Sequence, residues 1–219
     1  MAFAGFPREA LDFYERLEAD NSRAFWEANK ATYKTVVRAS VEALCEELPA
    51  YGPFHFFRPY NDVRFAKGKP PYKTQQGGYG ETEGGAGYYV QLSAAGVMVG
   101  AGYYAMAKDQ LERFRAAVDA DHTGSEIAGI VAGLSNRYQF TAIEELKTAP
   151  RGFPKDHPRI ELLRRKGLIL IKEFGAPAWI HTKQAATRIR AVWDDAAEMN
   201  AWLDTHVGPS NLEPEGFFR

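Results

Sequence analysis

The sequence predicts an α+β fold: an antiparallel sheet, with hairpins around 56–65 and 88–103 and a strand near 168–174, packed with amino- and carboxy-terminal helices. Three observations carry this. Apolar residues recur at helical spacing through the first 48 positions and again beyond Thr182. Between those stretches lie runs rich in aromatic and β-branched residues, which favour extended chain. Two of the runs are joined by only Ala94, Ala95 and Gly96, a turn short enough for an antiparallel hairpin.

In chain order, Leu11, Phe13, Tyr14 and Leu17 predict a helix over 7–19, with Pro7 in a first turn where its missing amide hydrogen costs nothing. Asp20, Asn21 and Ser22 can cap a second, long amphipathic helix over 23–48, with apolar Trp26, Tyr33, Val37, Val41, Leu44 and Leu48. Aromatics, Val and Arg over 54–65 predict extended chain. A loop over 66–87 follows, with Pro70, Pro71 and six glycines from Gly77 to Gly87. The hairpin over 88–103 leads to a helix over 108–120. Thr123 and Glu126 have capping-box spacing for another helix ending near Leu134. A short strand at 138–142 and the apolar strand at 168–174 precede a last helical stretch, interrupted at Asp194 and Asp195.

The 219 residues carry 27 basic and 28 acidic groups, a net charge of −1, and are 45% hydrophobic. These values exclude a disordered polyelectrolyte, a collagen-like repeat and a disulfide framework. One domain over 1–219 is expected, helical at its amino-terminal end over 1–52 and mixed α+β over 53–219. No secretory signal opens the sequence, and no apolar run approaches the roughly 20 residues needed to span a bilayer. The expectation is a soluble, cytoplasmic protein that does not bind membranes. Cys45 is the single cysteine, and its apolar helical position predicts a buried, inert thiol.

Common catalytic signatures are missing. The five histidines show no metal-ligand spacing, no serine sits in G-x-S-x-G, and neither G-x-G-x-x-G nor a Walker loop occurs. The sequence therefore specifies no metal, no cofactor and no oligomeric state.

What stands out is the segment 57–74. It holds Arg58, Arg64, Lys67, Lys69 and Lys73 against one acid, Asp62, in an otherwise balanced chain. If it is extended, Asp62 and Arg64 project from the same face, so the carboxylate can orient the guanidinium or take a proton. An Arg fork grips phosphate or carboxylate in two places, whereas Lys acts as a point charge. The other reading is a partly buried Arg/Asp pair pinning strand to loop. A second basic stretch holds Lys147, Arg151 and Lys155, stiffened by Pro150 and Pro154, and continues to Arg164, Arg165 and Lys166. Within it His157, beside Asp156, is a candidate acid or base, although Asp156, His157 and Pro158 also read as a helix start. Asn21, Arg23, Asn29 and Lys30 cluster around the second helix start, where caps and solvated groups are the ordinary outcome.

The residues Asn21, Arg23, Phe25, Trp26, Asn29, Lys30 and Tyr33 form one block; Phe57, Arg58, Asp62, Arg64, Phe65, Lys69, Pro71, Tyr72, Lys73 and Thr74 form another. Gly100, Gly102 and Tyr103 make a third, and Leu146, Lys147, Pro150, Arg151, Gly152, Phe153, Asp156, His157 and Pro158 a fourth. In these blocks the chain resembles the family of uncharacterised proteins catalogued as domain of unknown function 2461, over most of its length. The resemblance implies locations of interest and no established activity. Similar proteins have Arg where Asn61 stands, Ser and Asp near Ala66 and Gly68, and Thr at Pro70. The cationic positions persist here without the second acid, which favours anion binding over acid/base hydrolysis.

The leading expectation is a cleft formed by both basic loops around an anionic group of a phosphorylated small molecule, nucleotide or carboxylate. Arg58, Arg64, Lys69, Tyr72, Lys73 and Arg151 would bind it, and Asp62 and His157 would serve as the catalytic groups of an enzyme on a phosphorylated substrate. The alternative is a non-catalytic module for single-stranded nucleic acid or a protein partner, since aromatic residues interleave with the cations. A pI near 6.5 argues against broad contact with a nucleic-acid backbone.

Overall fold

The computed structural model describes residues 2–62 and 68–212. The chain clusters into two compact units, the first built from 1–80, 88–99 and 173–192, the second from 81–87, 100–172 and 193–219. The strands are β1 (Phe54–Phe56), β2 (Gln75–Glu81), β3 (Gly87–Ser93), β4 (Gly96–Tyr103), β5 (Gln139–Thr141) and β6 (Leu168–Gly175). They form one six-stranded antiparallel sheet in the order β1-β2-β3-β4-β6-β5, with helices at both ends of the sequence, so the α+β class holds. Strands β4 and β6 each pass from one unit into the other.

In the first unit, α1 (Arg8–Ala19) starts after Pro7, whose φ of −61° and ψ of 144° leave it extended as the cap. Its apolar face buries Leu11, Phe13, Tyr14 and Leu17. The long second helix is present but not uniform. It runs as α2 (Arg23–Thr32), a π-helical turn (Tyr33–Arg38) and α3 (Ala39–Glu46). Ser22 caps it by accepting the Phe25 N–H at 3.1 Å. Cys45 is buried and free. Burial, reinforced by Glu42 and Glu46, pushes its thiol up to about 12, so it stays protonated and packs as a small apolar group.

Strand β1 is shorter than composition predicts, and its partner is β2, with Phe54 opposite Gly80. About a third of the expected glycine-rich loop is thus strand. A side-chain carbon at Gly77 would strike the Tyr89 hydroxyl, and one at Gly80 the carbonyl of Tyr51. Glycine is there for close approach, a use that composition cannot separate from flexibility. The hairpin of β3 and β4 follows as expected, although β3 starts one residue earlier.

The second unit packs α4 (Lys108–Asp119), α5 (Asp121–Leu134), the short α6 (Ile160–Leu163) and α8 (Ala197–His206) with β5 and most of β6. Helix α7 (Gln184–Asp195) ends at the expected interruption. Trp193 and Trp202 are buried, and each spends its N–H on a carbonyl, Gly100 and Thr123 respectively, both at 3.1 Å. Helix α5 starts at Asp121 rather than at a Thr123 box, because the Thr123 hydroxyl donates back to Ala117 at 2.5 Å and closes the turn out of α4. No helix among the described residues is long and apolar enough to cross a membrane.

Asp109, in the first turn of α4, accepts from the Ser210 hydroxyl at 2.7 Å, the Asn211 N–H at 2.9 Å and Arg113 at 3.0 Å. The Asn211 N–H chiefly, with Ser210 and Arg113 and against burial, holds this carboxyl well below the usual carboxylate range. A lowered folded pKa means the contribution is complete above the unfolded value, about 4, and is lost as pH falls through the folded one. Thermal unfolding followed from pH 5 to pH 2 is therefore expected to weaken more steeply in the wild type than in Asp109→Asn; parallel profiles would refute this anchor.

Candidate functional site

The basic segment leaves the sheet at once. Phe57 still donates to Gly77 at 3.2 Å, after which Asn61 N–H reaches Pro71 O at 2.9 Å and Lys73 N–H reaches Pro59 O at 2.7 Å. Tyr60 and Tyr72 bridge in antiparallel fashion, so 59–61 and 71–73 form a two-stranded arm. The arm is fastened to the start of α2. The Asn21 amide donates to Tyr72 O and accepts from Tyr72 N–H, both at 3.0 Å, as a neighbouring strand would. The Tyr72 ring then stacks on Trp26 at 4.4 Å and 11°, and Tyr60 meets Trp26 edge-on at 5.7 Å.

This docking sets Pro59 and Tyr60 opposite Lys30, Tyr33, Lys34 and Arg38 across a hollow of about 430 Å³. The π turn matters for that lining. In an α-helix each step of four residues drifts about 40° around the axis, and a wider turn opposes the drift. Lys30, Lys34 and Arg38 thereby face one hollow. Arg38 is matched by Glu42 at 2.5 Å and lies over the Phe56 ring at 4.9 Å. Among the described residues neither Lys30 nor Lys34 has a carboxylate partner. The hollow thus keeps two uncompensated positive charges.

Its wall carries further polarity. The Tyr33 hydroxyl donates to Gln76, whose amide donates to Phe57 O at 3.2 Å and Gly77 O at 2.8 Å, tying the helix to the root of the arm. Burial raises the Tyr33 pKa, a trend the Arg38 guanidinium opposes, so the phenol is a donor at neutral pH. Trp26 also lines the hollow, and its N–H is buried without a hydrogen-bond partner. Tyr60 is 42% exposed.

The residues singled out in the sequence separate accordingly. Arg58, Lys69 and Lys73 lie on the basic segment, and none has a carboxylate partner among the described residues. Lys73 sits 5.2 Å over the Phe57 ring, and burial, followed by repulsion from Arg58 and Lys69, lowers its pKa. Tyr72 is buried, so its ring packs against Trp26 and presents no open face. Asp62 is exposed at the end of a described stretch, and Arg64 lies outside the described residues.

Arg151 and His157 belong to the second unit. Arg151 is exposed. Both nitrogens of His157 are occupied: Nδ1 accepts the Arg159 N–H at 3.0 Å, and Nε2 lies 3.2 Å from Asp119. Helix α6 consequently begins at Ile160, two residues beyond Pro158.

The sequence reading noticed Lys30 and missed Lys34 and Arg38. The signal was available in their spacing. Three cations at four-residue intervals on a helix repel one another unless a counter-charge lies across from them.

A family model described as a conserved hypothetical protein, DUF2461, matches residues 9–202 and so takes in the arm and the hollow. No curated protein and no solved structure matches the chain.

Proposed function

The chain belongs to the conserved hypothetical protein family DUF2461, and from that premise we propose that it binds a small polyanion in the hollow between the α2–π turn and the basic arm. One observation carries the reading: Lys30 and Lys34, without carboxylate partners among the described residues, face the same hollow as Arg38 and Tyr60. Hydrogen bonds to a charged partner contribute about 1.5–3 kcal/mol each, so two ammonium groups can select an anion over water. Phosphate, nucleotide and carboxylate ligands share this chemistry. Arg58, chain neighbour of Pro59, and Lys73, bonded through its amide to Pro59, add positive potential at the rim. An anion beside Lys73 would offset the repulsion that now lowers its pKa. An enzyme on a phosphorylated substrate is the catalytic form of this reading, with Asp62 as its acid on the same segment.

Thermal shifts with inorganic phosphate, pyrophosphate, sugar phosphates and nucleotides, at fixed ionic strength, test it. A ligand at about 100 times its Kd adds about 2.7 kcal/mol of stability. Lys30→Ala combined with Lys34→Ala is expected to remove that shift while the ligand-free melting temperature stays close to wild type, because Lys34 is exposed and Lys30 half-buried. No shift with any of the anions, or an undiminished shift in the double variant, would sink the proposal. Binding of an oligonucleotide that weakens steeply with salt would select the nucleic-acid alternative.

A further inference from the structure

Residues 164–166 of the second unit carry the chain out of α6, Arg164 still being in the right-handed helical region as its cap. Arg165 bridges Glu145, Leu146 N–H donates to Arg164 O, and Lys166 N–H donates to Glu144 O, both at 2.9 Å. The two flanking charges are answered: Arg164 meets Glu161 at 3.3 Å and Glu145 at 3.5 Å, and Lys166 pairs with Glu144. Glu145, directly across the bridge from Arg165, thus spends its carboxylate on Arg164. Arg165 is left between them, with Nε and Nη1 buried and without hydrogen-bond partners.

Arg115 of α4 reaches the same stretch of chain. Its Nε donates to Leu163 O at 3.2 Å, while its Nη2 is buried and unpartnered. Among the described residues neither guanidinium has a carboxylate partner. Three buried nitrogens on two permanent cations are therefore without acceptors. A lysine in this position could shed its proton, but arginine does not deprotonate in proteins, so both charges persist and favour an acceptor at the buried nitrogens. Burial disfavours the charged form of Arg115 in the same sense. Both side chains remain half-buried, which leaves solvent a route in.

We propose that Arg115 and Arg165 form a second binding site, on the second unit, for a small free oxyanion, phosphate or carboxylate, whose oxygens accept from the orphaned guanidinium nitrogens. The planar fork of arginine matches two oxygens of one such group. This site is independent of the hollow lined by Lys30 and Lys34, and either can fail without the other.

The test follows arginine Nε–Hε resonances of the full chain during titration with sodium phosphate and, separately, sodium acetate, with sodium chloride holding ionic strength constant. The Arg115 and Arg165 signals are those lost in Arg115→Lys and Arg165→Lys, with Arg115→Met and Arg165→Met as second variants should the lysine forms not fold. Both signals are expected to move with saturation in at least one titration, and still to do so when Lys30 and Lys34 are alanine. Saturation only with phosphate assigns a phosphate site, and saturation only with acetate a carboxylate site. Arg165→Met is expected to weaken the apparent affinity reported by Arg115 at least tenfold. Signals that stay still, or drift linearly as they do with chloride, overturn the proposal, as does an unchanged Arg115 titration in Arg165→Met.

Discussion

Trp26→Ala is expected to cost about 3–5 kcal/mol, the range for removing a large ring from a packed interior. Trp26 is 1% exposed and touches rings on every side: Phe13 at 6.3 Å, Tyr33 at 4.9 Å, Tyr60 at 5.7 Å and Tyr72 at 4.4 Å. Against a typical domain stability of about 5–15 kcal/mol, the loss is severe. It should also be local in kind. Two of the four rings belong to the arm, so the cavity loosens 59–61 and 71–73 from α2, and limited proteolysis is expected to cut the arm faster than wild type at equal fraction folded. Trp26→Phe keeps some of the packing and should recover much of both effects. A denaturant midpoint within error of wild type for Trp26→Ala would show that the aromatic cluster does not secure the arm.

Gly102→Ala is expected to lose about 3 kcal/mol or more. Gly102 has φ of +119°, where a side chain is strained, and an added methyl would overlap the carbonyl oxygen of Leu168 on β6. Neither cost can relax without moving β4 from β6, two neighbouring strands inside the sheet. Gly129 provides the contrast. It is exposed on α5, and a methyl there meets nothing within 4 Å. Gly129→Ala should therefore stabilise by up to about 1 kcal/mol through helix propensity alone. Urea unfolding of both variants decides the matter, and equal effects would refute the steric account.

The pattern of successes and misses follows from the range of the interactions involved. Helices α1 and α4 were legible because their apolar spacing and chain breaks are local. The long second helix was legible in extent but not in its π turn, since composition does not reveal a widened turn. The second strand hid behind its glycines. Gly77 and Gly80 read as freedom and turned out to be clearance for Tyr89 and for the Tyr51 backbone, neither of which is a sequence neighbour. His157 carried the right chemistry for proton transfer, yet its two nitrogens meet Arg159 and Asp119, and the latter lies 38 positions away in the sequence.

By itself the sequence determined the class of fold, the family and the segregation of positive charge into 57–73 and 147–166, because residue type and spacing are properties of neighbours along the chain. What 59–61 and 71–73 pack beside was decided only in three dimensions. It is the helical face of Lys30, Lys34 and Arg38, selected by one asparagine clamp on Tyr72 and one ring stack on Trp26. Charge runs repel and carry no information about what they will face; directional hydrogen bonds and ring packing do, and these exist only once distant residues have met.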